Sequence, residues 1–247
     1  MRTGAALVTG GARRIGRAIC LRLAEAGFDV AIHHHASADE AEELAGLIRA
    51  QGRRAATVSA DLTDEPSVTA LVPAAVQALG PLQVLVNNAS VFEDDRVGGL
   101  ERATWDRHIE TNLRAPIVLA EAFAAQAADG AAIVNLLDQR VLKPDPRFIS
   151  YALSRNGLWW ATRTLAQALA PRIRVNGVGP GPTLPSIHQT QADFDAEAEA
   201  VLLQKPGSPE AVADAVAWLV DAQLVTGQMI AVDGGQHLAW RTPDIAE

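Results

Sequence analysis

The sequence contains very little cysteine and few aromatic residues. Among its 247 residues there are one cysteine, one tyrosine and an aromatic fraction of only 4%. The single cysteine, Cys20, excludes a disulfide framework and any metal site built from cysteines, and it favours a reducing compartment. No apolar run approaches the roughly 20 residues of a membrane-spanning helix, and the first residues do not form a signal-peptide pattern. We therefore expect a cytoplasmic protein that has no membrane partner.

Basic residues are also scarce relative to acidic ones. Lys and Arg number 21 against 29 Asp and Glu, so the formal net charge is −8. A general nucleic-acid-binding protein needs a basic face that neutralises phosphates, and we expect no nucleic-acid partner here. The hydrophobic fraction of 49% and the charged fraction of 20% are typical of a globular chain with a sizeable core. Because no linker or internal repeat divides it, residues 1–247 are predicted to form one domain.

Short apolar runs recur along the chain at fairly even spacing and predict seven β-strands. They begin at Ala6, Val30, Ala56, Leu82, Ala131, Ile173 and Met229. Stretches with helical periodicity lie between most of them, over 17–26, 38–51, 67–79, 105–128, 151–169 and 209–220. This alternation predicts an α/β fold in which helices cover both faces of a parallel sheet. The stretch 183–206 lacks a strand and mixes prolines with acidic residues, so we predict a substrate lid there.

The first predicted strand runs into the glycine-rich segment TGGARRIG, which is followed at once by a helical pattern. Glycines such as Gly10 and Gly16 let the backbone turn tightly and approach a pyrophosphate. The N-terminus of the following helix offers unpaired N–H groups to the same phosphates. An ordinary glycine-rich turn has a similar composition, but the position between first strand and first helix favours a nucleotide-binding site.

The second predicted strand indicates which dinucleotide would bind. It reads AIHHHAS and carries no acid, whereas folds selective for NAD commonly place Asp or Glu there to bind the ribose 2′-hydroxyl. Arg13 and Arg14 in the glycine loop, with Ser37 nearby, could bind a 2′-phosphate, so the sequence predicts NADPH. The three histidines also suggest a metal site or a solvated loop. Because side chains alternate between the faces of a strand, these histidines cannot easily converge, and we expect no metal.

The only tyrosine, Tyr151, lies four residues before Arg155. On a helix this spacing places both side chains on one face, where a cation can stabilise the phenolate. Three further segments accompany them: NNAS from Asn87, ETNLRAP with Asn112, and the Pro180-Gly181 turn. With the glycine motif, these segments resemble the short-chain dehydrogenase/reductase family over the whole chain. The resemblance implies a Rossmann-type fold, a homotetramer or homodimer, hydride transfer with nicotinamide, and a tyrosine that donates the proton.

Within that family the sequence is most similar to the pteridine reductase branch. Arg14 replaces the usual middle glycine of the loop, HHHAS is similar to the branch's histidine-rich segment, and Phe92 follows NNAS closely. Asp138 stands where most short-chain dehydrogenases carry a catalytic serine. The resemblance implies that Phe92 stacks a flat pterin against the nicotinamide and that Asp138 and Tyr151 share a proton for C=N reduction. An arginine often found in the histidine-rich segment is Ala36 here.

The resemblance assigns catalytic roles to Tyr151, Asp138, Arg155 and Asn112. The cofactor-binding residues that it implies are Gly10, Arg13, Arg14, Ile15, Gly16, His33, His35, Ser37, Asp61, Leu62, Asn88, Ala89, Ser90, Tyr151, Arg155, Pro180, Gly181 and Thr183. The substrate-binding residues are Arg14, Ser90, Phe92, Asp138 and Tyr151. The predicted substrate is a dihydropterin or dihydrofolate.

Several alternatives remain at this point. Phe92 could serve core packing, and Asp138 could be a helix cap or a surface carboxylate. Arg155 departs from the family's lysine: it keeps the charge that lowers the phenol pKa, but its planar guanidinium is shaped differently for the nicotinamide ribose. The chain could therefore reduce a ketone or quinone instead, or it could be a non-catalytic NADP(H)-binding sensor.

Overall fold

The computed structural model describes residues 4–185 and 189–240. Within these ranges, seven parallel strands form one sheet in the order β3-β2-β1-β4-β5-β6-β7. The strands are β1 (Ala5–Val8), β2 (Asp29–His34), β3 (Ala55–Ser59), β4 (Leu82–Asn87), β5 (Ala131–Leu136), β6 (Ile173–Pro180) and β7 (Met229–Val232). The predicted α/β fold with a seven-stranded parallel sheet is thereby confirmed.

Helices connect the strands and cover the sheet. They are α1 (Arg14–Glu25), α2 (Ala38–Ala50), α3 (Glu65–Leu79), α4 (Arg102–Ile109), α5 (Ala115–Gln126), α6 (Ile149–Leu169), α7 (Gln191–Ala200) and α8 (Pro209–Asp221). The described part of the predicted lid contains α7 and no strand, whereas residues 186–188 of that prediction lie outside the described residues.

The stretch predicted to be helical over 105–128 is helical as far as Gln126, but it is not a regular α-helix throughout. A π-helical segment, Glu110–Arg114, separates α4 from α5. Pro116 stands in the first turn of α5 and has no backbone N–H to donate to the carbonyl of Asn112, four residues earlier. The regular hydrogen-bond ladder is interrupted there, and the wider π turn accommodates the break.

The core has two halves, one on each face of the sheet. Alternate residues of β1 face opposite sides: Ala6 and Val8 pack in the half that includes α1, α2 and α8, whereas Ala5 and Leu7 pack in the half that includes α3 and α5. Both faces of the central strands are buried, which explains why their sequences are apolar throughout rather than alternating.

The carboxyl ends of the central strands meet where the strand order reverses, between β1 and β4. Val8 lies beside Ile32 of β2 and Val86 of β4, so these strands end at the same level. In open parallel sheets this reversal leaves a crevice in which ligands bind. The glycine loop follows β1, the NNAS segment follows β4 and Asp138 follows β5, so the fold brings the predicted site residues to one edge.

Candidate active site

Two adjoining cavities of about 800 Å³ and 590 Å³ lie at this edge and share Arg14, Ile15, Asn88 and Ser90. Both volumes are typical of small-molecule sites. The larger cavity is also lined by the predicted residues Phe92, Asp138, Tyr151, Pro180, Gly181 and Thr183. The smaller one is also lined by Gly10, Arg13, His33, His35, Asp61, Leu62 and Ala89. Four predicted residues lie outside the lining of both cavities: Gly16, Ser37, Asn112 and Arg155.

The glycine loop is shaped for close approach of a ligand to the backbone. Gly10 has a φ of +60°, in the left-handed region, and a Cβ at Gly16 would lie 2.1 Å from the carbonyl oxygen of Gly10. The first turn of α1 has no acidic residue, and Arg13 at its N-cap makes no side-chain capping hydrogen bond. The N–H groups of that turn are thus uncapped by side chains, as a phosphate-binding helix end requires.

His33 supports this loop from beneath. Its Nδ1 accepts a hydrogen bond from the N–H of Gly10 at 3.0 Å, and its Nε2 lies 3.1 Å from the carbonyl oxygen of Ala60, to which it donates. Burial lowers the pKa of His33 to about 4, so the ring is neutral at physiological pH. His33 therefore shapes the cofactor loop and does not supply a positive charge for a 2′-phosphate.

The remaining candidates for a 2′-phosphate surround the smaller cavity. Arg13 and the exposed His35 line it, and Arg13 forms an ion pair with Glu40. Ser37 instead occupies the N-cap of α2, outside the lining, because that helix begins directly after the strand's loop. Contact of Ser37 with the cofactor stays a prediction.

Arg14 bridges the larger cavity from one wall to the other. Its φ is +52°, a left-handed conformation that is uncommon for a residue with a side chain, at the position where the family usually has glycine. Its Nη2 donates to the carbonyl oxygens of Leu184 at 3.4 Å and Pro185 at 2.9 Å. The arginine thus joins the glycine loop to the segment that follows β6, over the cavity.

Asp138 and Tyr151 form a buried hydrogen-bonded pair in the larger cavity. The Tyr151 hydroxyl donates to Asp138 Oδ2 at 2.7 Å. Burial raises the pKa of Tyr151, the neighbouring Asp138 carboxylate raises it further, and Arg155 offsets only part of this. Arg155 lowers the phenol pKa as expected from its charge, but burial and the carboxylate outweigh it, so the net shift is upward. Tyr151 is protonated at neutral pH.

Arg155 lies behind Tyr151 instead of facing the cavity. It is 2% exposed, its Nη1 donates to the carbonyl oxygen of Leu136 at 2.9 Å, and its guanidinium carbon is 5.4 Å from the centroid of the Tyr151 ring. The positive charge is retained next to the phenol, as predicted from the sequence spacing. Contact with a nicotinamide ribose stays a prediction.

Asn112, in the π-helical segment, is fully buried. Its Oδ1 accepts from the N–H of Val91, and its Nδ2 donates to the carbonyl oxygen of Val91, both at 2.9 Å. The same Nδ2 donates to Ser154 Oγ at 3.3 Å. Asn112 therefore fixes the loop after β4 against α6, and its predicted support of a water network stays a prediction.

Phe92 lies in the larger cavity within a cluster of aromatic rings. Its ring centroid is 4.6 Å from that of Phe148 and 4.7 Å from that of Tyr151, which it meets edge-on. Phe148 also lines the cavity and was not anticipated from the sequence. Phe92 is half-buried at the cavity wall, and its stacking on a pterin stays a prediction.

A second unanticipated group lies beneath Tyr151. Asp95 Oδ2 accepts from the N–H of Ser150 at 2.7 Å and from its hydroxyl, and His108 Nδ1 lies 2.7 Å from Ser150 Oγ. Because the N–H of Glu93 donates to His108 Nε2, the proton of His108 is on Nδ1 and points at Ser150. All three side chains are buried, so they fix the start of α6 next to Tyr151. Asp95 and Ser150 are 55 residues apart, and no local pattern joins them.

Helix α7 forms the wall opposite the aromatic cluster. Phe194 and Glu197 line the larger cavity from this helix. Glu197 accepts a hydrogen bond from Gln189, just before α7, at 2.7 Å, and one from Gln236 at 2.8 Å that ties α7 to the segment after β7. The substrate lid predicted over 183–206 stays a prediction.

Within residues 4–185 and 189–240, no helix is long and apolar enough to cross a bilayer. No cluster of three or more His, Cys, Asp or Glu side chains in these ranges could hold a metal ion. His33 and His34 are buried, whereas His35 is exposed.

Comparison with known proteins gives the following relatives. The family model described as enoyl-(acyl carrier protein) reductase matches residues 10–237. The structure of FolM alternative dihydrofolate reductase 1 from Brucella canis, complexed with NADP, is 50% identical with a TM-score of 0.95, covering 99% of this chain and 98% of that one. Its counterpart from Brucella suis, also with NADP, has the same identity and TM-score and 99% coverage of both chains. The 3-oxoacyl-(acyl-carrier-protein) reductase FabG of Staphylococcus aureus strain N315 is 34% identical over 245 residues, 96% of this chain and 99% of FabG.

Proposed function

The chain belongs to the short-chain dehydrogenase/reductase family, and we propose that it is an NADPH-dependent reductase of a dihydropterin or dihydrofolate. The observation that carries this proposal is the hydrogen bond of 2.7 Å between Tyr151 and Asp138 in a cavity that also contains the ring of Phe92. The two Brucella dihydrofolate reductases, 50% identical to this chain, support the same substrate class.

The residues of the smaller cavity fit the cofactor. The glycine loop and the uncapped first turn of α1 would bind its phosphates, and Arg13 with His35 would face the 2′-phosphate. Pro180, Gly181 and Thr183 continue the site into the larger cavity. Both Brucella structures contain NADP, which supports NADPH for this chain. When bound, NADPH supplies the hydride that reaches the carbon of the C=N bond.

The chain itself supplies the proton that the substrate nitrogen requires. The Tyr151 hydroxyl carries that proton, and its O–H bond breaks as the new N–H bond forms. The Asp138 carboxylate is 11% exposed, so it can pass a replacement proton from solvent to the phenol oxygen. Phe92 and Phe148 give the cavity an apolar side, which suits a flat ring and limits the access of water.

Reduction of a carbonyl group is the second candidate, because FabG is a relative along almost the whole chain. A carbonyl develops negative charge on oxygen during hydride transfer and needs hydrogen-bond donors around it. An ionised carboxylate is an acceptor only and would repel that oxygen, whereas a serine hydroxyl can donate. Asp138 therefore favours a C=N bond over a ketone as the reacting group.

The proposal is tested by mixing the purified protein with NADPH and following cofactor oxidation by absorbance. The substrates are a dihydropterin, dihydrofolate, a 3-oxoacyl thioester and a quinone. We expect turnover of the first two and little with the others. Brisk reduction of the thioester or quinone without turnover of pterins would refute the substrate assignment. Binding of NADPH with no turnover of any substrate would favour the sensor alternative.

The predicted homodimer or homotetramer remains part of the proposal. Leu153 and Trp160 on α6 are 50% and 62% exposed, as expected for a helix that packs against another subunit. Sedimentation analysis of the purified protein measures the assembly directly, and a monomer at micromolar concentration would contradict it.

A further inference from the structure

Asp138 has a second partner besides Tyr151, the side chain of Arg140. Arg140 lies in a short 3₁₀ segment, Gln139–Val141, that follows Asp138 directly. Its backbone N–H donates to Asp138 Oδ1 at 2.8 Å, and its Nη1 lies 3.4 Å and 3.3 Å from the two carboxylate oxygens. The guanidinium thus lies against both carboxylate oxygens, and the phenol donates to one of them, Oδ2.

The surroundings of Arg140 hold its side chain in place. Its guanidinium carbon is 5.0 Å from the centroid of the Phe148 ring and 5.6 Å from that of Phe92, and its Nε is 3.7 Å from Asp145 Oδ2. The side chains of Arg140 and Asp138 are only 17% and 11% exposed. Water and salt screen an ion pair at such a depth less than an ion pair on the surface.

The charged and titratable groups around Asp138 and Tyr151 come from four elements. Arg155 faces them from α6, Arg140 and Asp145 from the loop after β5, and Glu197 from α7. The buried ring of His108 on α4 lies 5.8 Å from the Tyr151 ring, centroid to centroid. Arg155 donates to the carbonyl oxygen of Leu136. Among the described residues, Arg140 is the cation that forms an ion pair with Asp138. Burial opposes the charge of Arg140, but the carboxylates of Asp138, Asp145 and Glu197 outweigh it and raise the guanidinium pKa.

We propose that Arg140 is a positioning residue for the proton-delivering pair. It holds the Asp138 carboxylate next to a fixed positive charge and turned toward Tyr151, so that the proton of the pair stays on the phenol oxygen until a substrate nitrogen takes it. Without Arg140 the carboxylate loses its cation, and the pair takes up a second proton at higher pH. The part that Arg140 plays in proton delivery rests on the proposed function. The contact by which Arg140 positions the Asp138 carboxylate does not.

The first test is the pH profile of kcat/KM for a dihydropterin. In Arg140→Met the acid-side inflection should move to higher pH by about one unit or more, because the carboxylate is no longer paired with a cation. Arg140→Lys keeps a charge and should restore most of the wild-type profile. Arg147→Met is the matched control, since Arg147 also binds Asp145 but is exposed and makes no hydrogen bond or ion pair with Asp138 among the described contacts. It should keep the wild-type inflection.

The second test needs no turnover. Tyr151 is the only tyrosine, so subtracting the ultraviolet difference spectrum of Tyr151→Phe isolates its hydrogen-bond state during an acid titration. The midpoint pH of this spectral change should also be higher in Arg140→Met, and it should be unchanged in Arg147→Met. If it moves while no pterin is reduced, the role of Arg140 stands and the proposed function fails. Wild-type midpoints in Arg140→Met, or equal shifts in Arg147→Met, would overturn the role of Arg140.

Discussion

The ionisation of the Tyr151 phenol reports directly on the charges around it in the site. Burial and the Asp138 carboxylate raise its pKa, and Arg155 acts in the opposite direction. Replacing Asp138 with Asn should therefore make tyrosinate absorbance appear at lower pH, and Arg155→Met should move it to higher pH. The single tyrosine makes both titrations unambiguous, with circular dichroism as the check that the fold persists. Identical titrations in all three proteins would contradict the arrangement.

His33 should make stability depend on pH in the mildly acidic range. Its pKa is lowered from 6.5 to about 4 in the folded state, so between these values the unfolded chain binds a proton that the folded chain does not. The free energy of unfolding should fall as pH decreases from 6.5 to 4, by at most about 3 kcal/mol from this group. Urea denaturation measures it. His33→Gln, which keeps an acceptor for the N–H of Gly10, should show a weaker dependence, and an unchanged slope would remove His33 as the cause.

The sequence predicted the identity of the site residues more successfully than it predicted their contacts. Asp138 and Tyr151 were identified by resemblance and are joined by a hydrogen bond, whereas the proton that they would share stays a prediction. The environment of Arg155 could not be foreseen, because its contact with Leu136 depends on how a planar guanidinium fits between β5 and α6. Arg140 carried no motif at all, since its role arises only from the turn that brings it back onto Asp138.

The turn between β1 and α1 is the element on which cofactor binding depends. A Cβ at Gly16 would meet the carbonyl oxygen of Gly10 at 2.1 Å, so Gly16→Ala should distort the loop and weaken NADPH binding by about tenfold or more. Calorimetric titration measures this loss. The matched control is Gly46→Ala in the middle of α2, where a Cβ meets nothing within 4 Å; it should stabilise the fold by about 0.5–1 kcal/mol and leave binding unchanged. Equal NADPH affinity in both variants would contradict the role of the loop.

Elements differ in how far periodicity could predict them. The buried strands and the helices α1, α2 and α8 follow from apolar spacing, because each has a clear face against the sheet. The break at Glu110–Arg114 has no such signature, since the apolar pattern continues through it while Pro116 removes one backbone donor. The π segment places Asn112 against Val91, a contact 21 residues apart that no local pattern encodes.

At the scale of the whole molecule, the absence of an acid at the end of β2 and the presence of Arg13 predict cofactor preference. We expect NADPH to bind at least about tenfold more tightly than NADH, which corresponds to ~1.4 kcal/mol. Arg13→Ala should reduce this ratio by weakening NADPH and leaving NADH nearly unchanged, because only NADPH carries the 2′-phosphate. Calorimetry with both dinucleotides measures the ratio, and equal dissociation constants for the wild type would refute the argument.

Asp138 is the group that suits the proposed site to C=N rather than C=O reduction. The most direct measurement compares kcat/KM for a dihydropterin and for a 3-oxoacyl thioester in the wild type and in Asp138→Ser. We expect the serine variant to lose on the order of a hundredfold in dihydropterin turnover, to keep its NADPH affinity, and to change little or improve with the thioester. Undiminished dihydropterin turnover in Asp138→Ser, or a wild type that prefers the thioester, would contradict this role of Asp138.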